Sequence, residues 1–416
     1  MSQIQGNLRT FQIKAALVLH KHTASGRDAM QQSQRNVYTE AVIASMTVDT
    51  RAQKIDWYKF LDRPRLPSPS PERLAPLERG SILVTGAGGS IGSALSLRLA
   101  ALRPRSLVLL DASEQALFNL QSTLASSIPV SKASIVLGDI ADAAHLDEIF
   151  ATHQPTVIFH AAAHKHVPLL EQQPLAAIAN NALATRALAE CAQRHKGARL
   201  VLLSTDKAVA PVSILGATKR IAEPITLASE GIVVRLGNVL GTAGSVVEVF
   251  LQQISTGGPV TITGHDAERY FLTCEEAIDL LLESAVAAPP GSLIAPDLDR
   301  PHSILSLANF LIATCSHQDR PSIAFTTPRP GDKIREALWS VNERPIVDKS
   351  ARRIWIHDQQ AIDRTLAARK LDRLQVAVEH RDLAQALDIV REMVPDYAPS
   401  ATVIALAQNT RGVLQT

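Results

Sequence analysis

The chain has 416 residues, 46% hydrophobic and 20% charged, a balance that fits a globular protein with a large core and excludes disorder throughout. Its formal net charge of +2 creates no field that would gather nucleic acid or an anionic membrane. Three widely separated cysteines, Cys191, Cys274 and Cys315, favour neither a disulfide framework nor a zinc site.

Residues 1–78 are polar and weakly patterned, and they end in a segment with repeated prolines at 64, 67, 69 and 71. Because proline disfavours helix interiors, we interpret 63–71 as an extended, proline-rich linker. The N-terminus lacks the apolar core of a signal peptide, and no apolar run reaches the roughly 20 residues of a membrane span. We therefore expect a cytoplasmic protein with no membrane span and no nucleic acid partner.

From residue 79 to residue 238, short apolar runs alternate with helical stretches. Runs that are nearly continuous in apolar residues are typical of parallel strands buried on both faces. The sequence predicts an α/β fold, with a doubly wound parallel sheet of the Rossmann type and crossover helices. The predicted strands are 82–85, 107–110, 134–136, 157–160, 200–204 and 232–236.

After residue 238 the alternation becomes irregular, and loops contain glycine, proline and threonine. We expect 239–345 to form a smaller substrate-binding lobe, interleaved with the Rossmann domain, with helices at 274–286 and 305–314. Residues 346–416 are predicted to be a helical C-terminal segment, because charged and apolar residues recur at helical spacing before Pro395.

A glycine loop joins the first predicted strand to the helix that follows it. Gly86, Gly89 and Gly92 lie three residues apart in TGAGGSIG, where backbone without side chains can approach a pyrophosphate at a helix N-terminus. Ser90 and Ile91 belong to the same predicted cofactor site. The alternative is a turn that only requires positive φ.

Acidic residues at the next strand ends extend the predicted cofactor site. Asp111 can accept hydrogen bonds from the adenosine ribose, which favours NAD, with NADP as the alternative if Arg103 or Arg105 approaches. Asp139 either binds the adenine amino group or caps the next helix. The remaining predicted cofactor contacts are Ile140, Ala161 and Lys219.

The segment Ser204-Thr205-Asp206-Lys207 follows the fifth predicted strand, at the sheet edge where such folds bind ligands. Asp206 and Lys207 can reach one substrate only if the chain leaves strand geometry there, because neighbouring strand side chains point to opposite faces. Lys219 is predicted to open a helix over 219–228 and to hold the nicotinamide ribose. A short-chain dehydrogenase normally has a tyrosine four residues before this lysine, but here the position is Leu215.

Histidines at 160, 164 and 166 invite a metal interpretation, but Lys165 lies between two of them and no carboxylate stands at metal spacing. We predict no metal site. A loop that faces cofactor and phosphate is the better interpretation.

With these residues in view, 79–338 resembles the CapD-like polysaccharide biosynthesis family, UDP-N-acetylhexosamine 4,6-dehydratases of the extended short-chain dehydrogenase/reductase superfamily. The resemblance rests on VTGAGGSIGS, IFHAAAHKHVPLLE, NNALAT, STDKAVAP, ILGATKRIAE, VRLGNVLGTAGSVV, GGPVTIT, RYFLTCEEA and RPGDKIREAL. FLDRP and VPDYAP, outside this range, also resemble the longer members. At position 215 some members have Tyr and the longer ones Met, so Leu215 is a departure.

The resemblance implies oxidation at carbon 4 of the sugar, loss of water across carbons 5 and 6, and return of the hydride to carbon 6. Thr205 would contact the carbon 4 hydroxyl, Asp206 would be the acid and Lys207 the base. Asp206 must then be partly protonated and Lys207 partly neutral, through a raised and a lowered pKa. The substrate-binding residues it implies are Lys165, His166, Asn238, Ser245, Arg269 and Arg329. For Arg269 the alternative is a structural ion pair.

The leading hypothesis is therefore an NAD-dependent UDP-N-acetylglucosamine 4,6-dehydratase, a lyase that the resemblance implies to be a homo-oligomer. One alternative is a nucleotide-sugar 4-epimerase, although an epimerase has no leaving hydroxyl for Asp206 to protonate. Another is a catalytically silent protein that binds NAD and a nucleotide sugar. It is suggested by Leu215 and by the short polar segment that precedes the domain, where the longer family members carry transmembrane helices.

Overall fold

The computed structural model describes residues 55–127, 133–195, 197–315, 320–358 and 364–413. The strands, in chain order, are β1 (Ser81–Thr85), β2 (Ser106–Asp111), β3 (Ala133–Leu137), β4 (Val157–His160), β5 (Arg199–Thr205), β6 (Ile232–Leu236), β7 (Asn238–Val239), β8 (Val260–Thr263), β9 (Glu268–Arg269), β10 (Phe271–Leu272), β11 (Leu293–Pro296), β12 (His302–Ser303), β13 (Ile323–Thr326), β14 (Glu343–Asp348) and β15 (Arg353–Asp358).

The α-helices are α1 (Trp57–Leu61), α2 (Pro71–Arg79), α3 (Ser90–Leu102), α4 (Glu114–Ser127), α5 (Ala143–His153), α6 (Val167–Gln172), α7 (Pro174–Ile178), α8 (Ala184–Arg194), α9 (Ile214–Ala228), α10 (Val246–Ser255), α11 (Cys274–Ala287), α12 (Ile304–Cys315), α13 (Arg364–Glu379), α14 (Leu383–Met393) and α15 (Ala401–Val413). A π-helical turn, Ala179–Leu183, joins α7 to α8. None of the described helices is both long and apolar enough to cross a membrane.

Nine strands form the central sheet, in the order β14-β15-β11-β6-β5-β4-β1-β2-β3. Neighbours among β1 to β6 are parallel, and β11 continues the parallel pairing beside β6. All five residues of β1 and of β6 are buried, as expected for a sheet covered by helices on both faces. The predicted doubly wound α/β fold is confirmed, and all six predicted strands are present.

The prediction that 346–416 is helical was wrong for its first part. Residues up to Asp358 form the antiparallel hairpin of β14 and β15, which extends the central sheet beyond β11. Ile354 and Ile356 of β15 are buried, whereas Trp355 between them is partly exposed, which is the alternation of a strand with one face packed on the domain. The prediction missed these strands because it relied on the helical spacing of the residues that follow them. Helices α13, α14 and α15 occupy the described remainder.

The proline-rich segment 63–70 is non-helical, as predicted, but it is packed onto the domain rather than free. Arg63 forms a buried ion pair with Glu276 of α11, with 2.7 Å between Nη1 and Oε1. The amide of Leu66 donates to the same carboxylate. Helix α2 then begins at Pro71, where the missing proline N–H costs nothing in the first turn. Predictions for 1–54 lie outside the described residues.

The lobe after residue 238 contains three two-stranded pairings, β7 with β10, β8 with β13 and β9 with β12, together with α10 and α12. Its apolar core includes residues of α1, so the segment before the domain contributes to this lobe. Helix α11 packs on α2 and β11 joins the central sheet, so the lobe is interleaved with the sheet. The domain boundaries themselves stay predictions.

Candidate active site

The glycine loop between β1 and α3 is built for close backbone approach. Gly86 has φ +67°, and a Cβ there would lie 2.5 Å from the amide nitrogen of Ala162. A Cβ on Gly92 would lie 1.9 Å from the Gly86 carbonyl oxygen. Gly89 caps α3, and no described side chain caps that helix end, so the amides of its first turn are available to an anion.

Asp111, at the end of β2, closes the same loop. One carboxylate oxygen accepts from the Gly88 amide and the other from the Ser113 amide, both at 2.9 Å. The carboxylate is thus fixed beside the glycine loop with lone pairs left for a ribose hydroxyl.

The capping alternative for Asp139 was wrong, because Asp142 is the residue whose side chain caps α5. Asp139 instead accepts from the Ala141 amide at 2.9 Å in a tight turn. Ile140 is buried beside it. Ala161 donates its amide to the Thr85 carbonyl, which places it directly after β4 and next to the glycine loop.

The chain leaves strand geometry where the sequence analysis required it. Strand β5 ends at Thr205, and Asp206–Ala208 form a 3₁₀ turn. Thr205 donates its hydroxyl to Asp206 Oδ1 at 2.9 Å, and Lys207 Nζ donates to the same oxygen at 3.0 Å. The other oxygen of Asp206, Oδ2, is buried and accepts no hydrogen bond from the described residues. The turn therefore joins an acid, an amine and a hydroxyl.

Lys207 is surrounded by acceptors. Its Nζ donates to Asn238 Oδ1 at 3.0 Å and lies 3.8 Å from Glu336 Oε1. Burial would lower the pKa of the ammonium, but Asp206 and Glu336 outweigh burial and the repulsion of Arg269, so the pKa is raised above its ordinary value. The expected lowered pKa is therefore wrong for the protein without substrate.

Helix α9 starts earlier than predicted, at Ile214 rather than at Lys219, because Ser213 caps it by accepting from the Gly216 amide. Lys219 thus lies one turn inside the helix, where its Nζ donates to the Leu203 carbonyl at 2.8 Å. Burial lowers the pKa of Lys219 to about 8, although the Glu223 carboxylate opposes the shift. Among the described residues, no hydrogen bond joins Lys219 Nζ to Thr205 or Lys207.

Leu215 is 5% exposed and belongs to an apolar cluster that α9 shares with the C-terminal helices. The carboxylate of Glu171 links α9 to the C-terminal helices, because it accepts from the Ile214 amide at 2.8 Å and from the Ser400 hydroxyl. The Ala398 amide also donates to the Pro211 carbonyl. Leu215 is therefore a packing residue on the helix that carries Lys219.

One group of predicted substrate residues gathers beside the loop before α10. Lys165 Nζ donates to the Ala243 carbonyl at 2.6 Å, and the Ala243 amide donates to Ser90 Oγ at 3.1 Å. A Cβ on Gly244 would lie 2.6 Å from the His166 ring. Ser245 precedes α10, and its buried Oγ has no partner among the described residues, so it can take a ligand hydrogen bond.

The two predicted arginines have different surroundings. Arg269 donates to three carbonyl oxygens, those of Glu268, Lys333 and Ile334, so the ion-pair alternative was wrong. Arg329 is 57% exposed in its side chain and pairs with Asp332 at 2.9 Å. Arg329 lies in the segment 329–338, and Arg269 donates to two carbonyl oxygens of the same segment. Among the described residues, no hydrogen bond or ion pair joins Arg329 to Lys207.

His160 is not arranged as a metal ligand, because its two ring nitrogens bond the hydroxyls of Thr85 at 2.8 Å and Thr185 at 2.9 Å. Within the described ranges, the single cluster with metal-ligand types at suitable distance is Asp147, Cys191 and His195.

Arg194 already donates to Asp147 at 2.9 Å in that cluster. Burial, together with Asp147, raises the pKa of the Cys191 thiol to about 12. Since the arginine occupies the carboxylate and the thiol stays protonated, this cluster does not favour a cation.

Sequence reasoning missed Glu336, although it lies inside the motif RPGDKIREAL. Its side chain is 2% exposed and pairs with Lys333 at 3.2 Å as well as approaching Lys207. A carboxylate in a conspicuous motif was the available signal, but nothing local in the sequence pairs residue 336 with residue 207.

The family model described as polysaccharide biosynthesis protein matches residues 82–356. The chain belongs to this family. It is 38% identical over 276 residues to the capsular polysaccharide biosynthesis protein CapD of Staphylococcus aureus, covering 64% of this chain and 46% of that protein. The identity to the probable polysaccharide biosynthesis protein EpsC of Bacillus subtilis is also 38%, over 273 residues, 63% of this chain and 45% of EpsC. The chain thus spans about half the length of these CapD-like relatives.

Among solved structures, the fold is similar to a double mutant of DesIV, the dTDP-glucose 4,6-dehydratase of Streptomyces venezuelae, with NAD and DAU bound. The TM-score is 0.55 at 21% identity, and the match covers 62% of this chain and 87% of that one. This likeness supports the doubly wound Rossmann fold.

Proposed function

We propose that this chain is an NAD-dependent UDP-N-acetylglucosamine 4,6-dehydratase that serves polysaccharide or surface glycan synthesis. The observation that carries the proposal is the turn at the end of β5, where Asp206 and Lys207 lie within a hydrogen bond of each other at 3.0 Å. Elimination of water needs an acid and a base near adjacent carbons of one sugar. The ends of parallel strands are also where doubly wound sheets bind ligands.

The residues between β1 and α3 fit a dinucleotide. Gly86 and Gly92 stand where any Cβ would collide with backbone, so the loop can lie against a pyrophosphate, and Asp111 is fixed beside it as an acceptor for ribose hydroxyls. When bound, NAD supplies the hydride acceptor and later donor that this redox-neutral dehydration requires. The Asp111 carboxylate would repel the 2′-phosphate of NADP, so calorimetric titration should give tighter binding of NAD. Tighter binding of NADP would contradict the assignment.

The residues of the catalytic turn divide the proton work of the elimination. Thr205 would hold the oxygen on carbon 4. The neutral amine of Lys207 would take the proton from carbon 5, and the electron pair of that bond would form the carbon 5–carbon 6 double bond as the hydroxyl leaves. Asp206, once protonated, would give its proton to the hydroxyl, so that the hydroxyl departs as water. Its Oδ2 has no hydrogen-bond partner among the described residues and is free to bond the substrate. Asn238 and Ser245 would orient the substrate.

The ion pair seen without substrate is one proton transfer away from this reactive state. Moving the proton from Lys207 Nζ to Asp206 across their hydrogen bond gives a neutral amine and a neutral acid together. In water the gap between pKa values of about 10.4 and about 3.9 makes this cost roughly 9 kcal/mol. Exclusion of water by a bound sugar would reduce that cost, because a dry site disfavours charged groups.

Mass spectrometry of the purified protein with NAD and UDP-N-acetylglucosamine tests the proposal. We expect a product lighter than the substrate by one water, and no such product from Lys207→Ala. A product of unchanged mass but altered configuration would instead indicate an epimerase. Equal, negligible turnover of the unaltered chain and the variant, with both still binding NAD, would indicate a silent binding protein. Homo-oligomerisation and a cytoplasmic location stay predictions.

A further inference from the structure

Glu336 is a buried carboxylate at the catalytic turn to which the sequence analysis gave no role. Its Oε1 lies 3.8 Å from Lys207 Nζ, which also contacts Asp206 Oδ1 at 3.0 Å. Its Oε2 lies 3.2 Å from Lys333 Nζ, and Lys333 also donates to the Val209 carbonyl that follows the turn. Lysines and carboxylates thus alternate in the order Asp206, Lys207, Glu336, Lys333.

We propose that Glu336 is a positioning residue that, balanced by Lys333, decides how readily Lys207 releases its proton. This inference rests on the proposed function, because a proton on Lys207 matters only if its amine is the base. A carboxylate at this distance stabilises the ammonium, since opposite charges within about 4 to 6 Å favour the charged form. Lys333 weakens this stabilisation, because it places a positive charge 3.2 Å from the other oxygen of the same carboxylate.

The other charged groups around Lys207 leave this role to Glu336. Asp206 also stabilises the ammonium, but it is the partner that receives the proton. Arg269 acts in the opposite sense, since its positive charge lowers the pKa of Lys207. Asn238 accepts a hydrogen bond from Lys207 Nζ, but its amide is neutral and so adds no charge that would favour the ammonium. Among the described residues, Glu336 is therefore the negative charge near Lys207 that can favour the ammonium without taking part in the elimination.

The arrangement predicts shifts of opposite sign in two variants. Glu336→Gln removes the negative charge and leaves Lys333 to repel, so the pKa of Lys207 should fall, by about one unit or more for a charge this close. Lys333→Met leaves Glu336 unbalanced, so the same pKa should rise. A merely structural role for Glu336 would not produce shifts in opposite directions.

Competitive acetylation of lysines by acetic anhydride between pH 6 and pH 11 measures this pKa, because only the neutral amine reacts. Mass spectrometry of the peptide that contains Lys207 gives the pH of half-maximal labelling, with no need for turnover. Glu268→Gln is the matched control, because this substitution also removes one negative charge from the same lobe. Glu268 pairs at 3.1 Å with Arg335, whose side chain is 72% exposed.

We expect half-maximal labelling of Lys207 to move to lower pH in Glu336→Gln, to higher pH in Lys333→Met, and to stay in place in the control. Shifts of the same sign in the first two variants, or none, would overturn the inference. The pH profile of product formation should follow the same order. If the labelling shifts occur but no variant and no unaltered protein forms product, the inference about Lys207 stands and the proposed reaction fails.

Discussion

Replacing Gly216 with alanine probes how closely helix α9 must approach the catalytic turn. A Cβ at this position would lie 2.1 Å from the carbonyl oxygen of Lys207 and 2.9 Å from Pro211 Cβ. Contacts below 3.0 Å are not tolerated, so the helix and the turn must separate by about 1 Å. Overpacking of this kind costs about 1–3 kcal/mol.

Alanine also gains about 1 kcal/mol over glycine as a helix former. The net loss in the free energy of unfolding should therefore be about 0–2 kcal/mol. Catalysis should suffer far more, because a 1 Å displacement of reacting groups typically costs about 100-fold in rate.

Two measurements on Gly216→Ala separate these effects. Urea unfolding should show a small loss of stability, and the mass-spectrometric assay should show turnover reduced by about two orders of magnitude. Gly258→Ala is the matched control, since its nearest neighbour would be Thr256 Oγ1 at 3.8 Å. Unaltered turnover and an unaltered urea midpoint in Gly216→Ala would refute the reasoning.

Two further predictions concern stability. Arg63→Met leaves the buried Glu276 carboxylate without its cation and should cost about 3–5 kcal/mol in the free energy of unfolding measured with urea. Arg300→Met breaks an exposed pair and should cost less than about 1 kcal/mol, so equal effects would contradict the argument. Burial and the nearby Lys219 lower the pKa of His160 from 6.5 to about 3, so the unfolded chain binds a proton that the folded protein excludes. The free energy of unfolding should therefore decline as the pH falls from 6.5 towards 3, by about 2 kcal/mol at pH 5. The decline should be less steep in His160→Gln, and equal slopes in the two proteins would exclude His160 as the cause.

The sequence predicted those features that depend on the conformation of neighbouring residues, such as glycine spacing and strand alternation. The glycine spacing predicted backbone that approaches closely, and the structure shows that a Cβ on Gly86 or Gly92 would collide with backbone atoms. The departure from strand geometry at Asp206 was predictable, because alternating side chains cannot otherwise serve one substrate. The start of α9 was missed because Ser213, a good capping residue, lies before the apolar pattern on which the prediction relied.

Leu215 shows why a missing residue could not be interpreted from the sequence. Without the fold, its place four residues before Lys219 suggested, as one alternative, a catalytically silent protein. In the structure it packs in the cluster between α9 and the C-terminal helices, while the acid and the amine stand together on the neighbouring turn. Which residues cover a helix face depends on segments far along the chain, and no local pattern encodes that choice.

The sequence by itself determined the α/β class, the close-packed glycine loop and the identity of the residues at the end of β5. Those features follow from periodicity and from the conformational demands of single residues. The tertiary structure alone decided the electrostatics of the site, because Glu336 and Asn238 reach Lys207 from separate segments. It likewise decided that β14 and β15 extend the sheet and that Arg63 anchors the N-terminal segment. Charges act through space, so the protonation of Lys207 is a property of the folded chain.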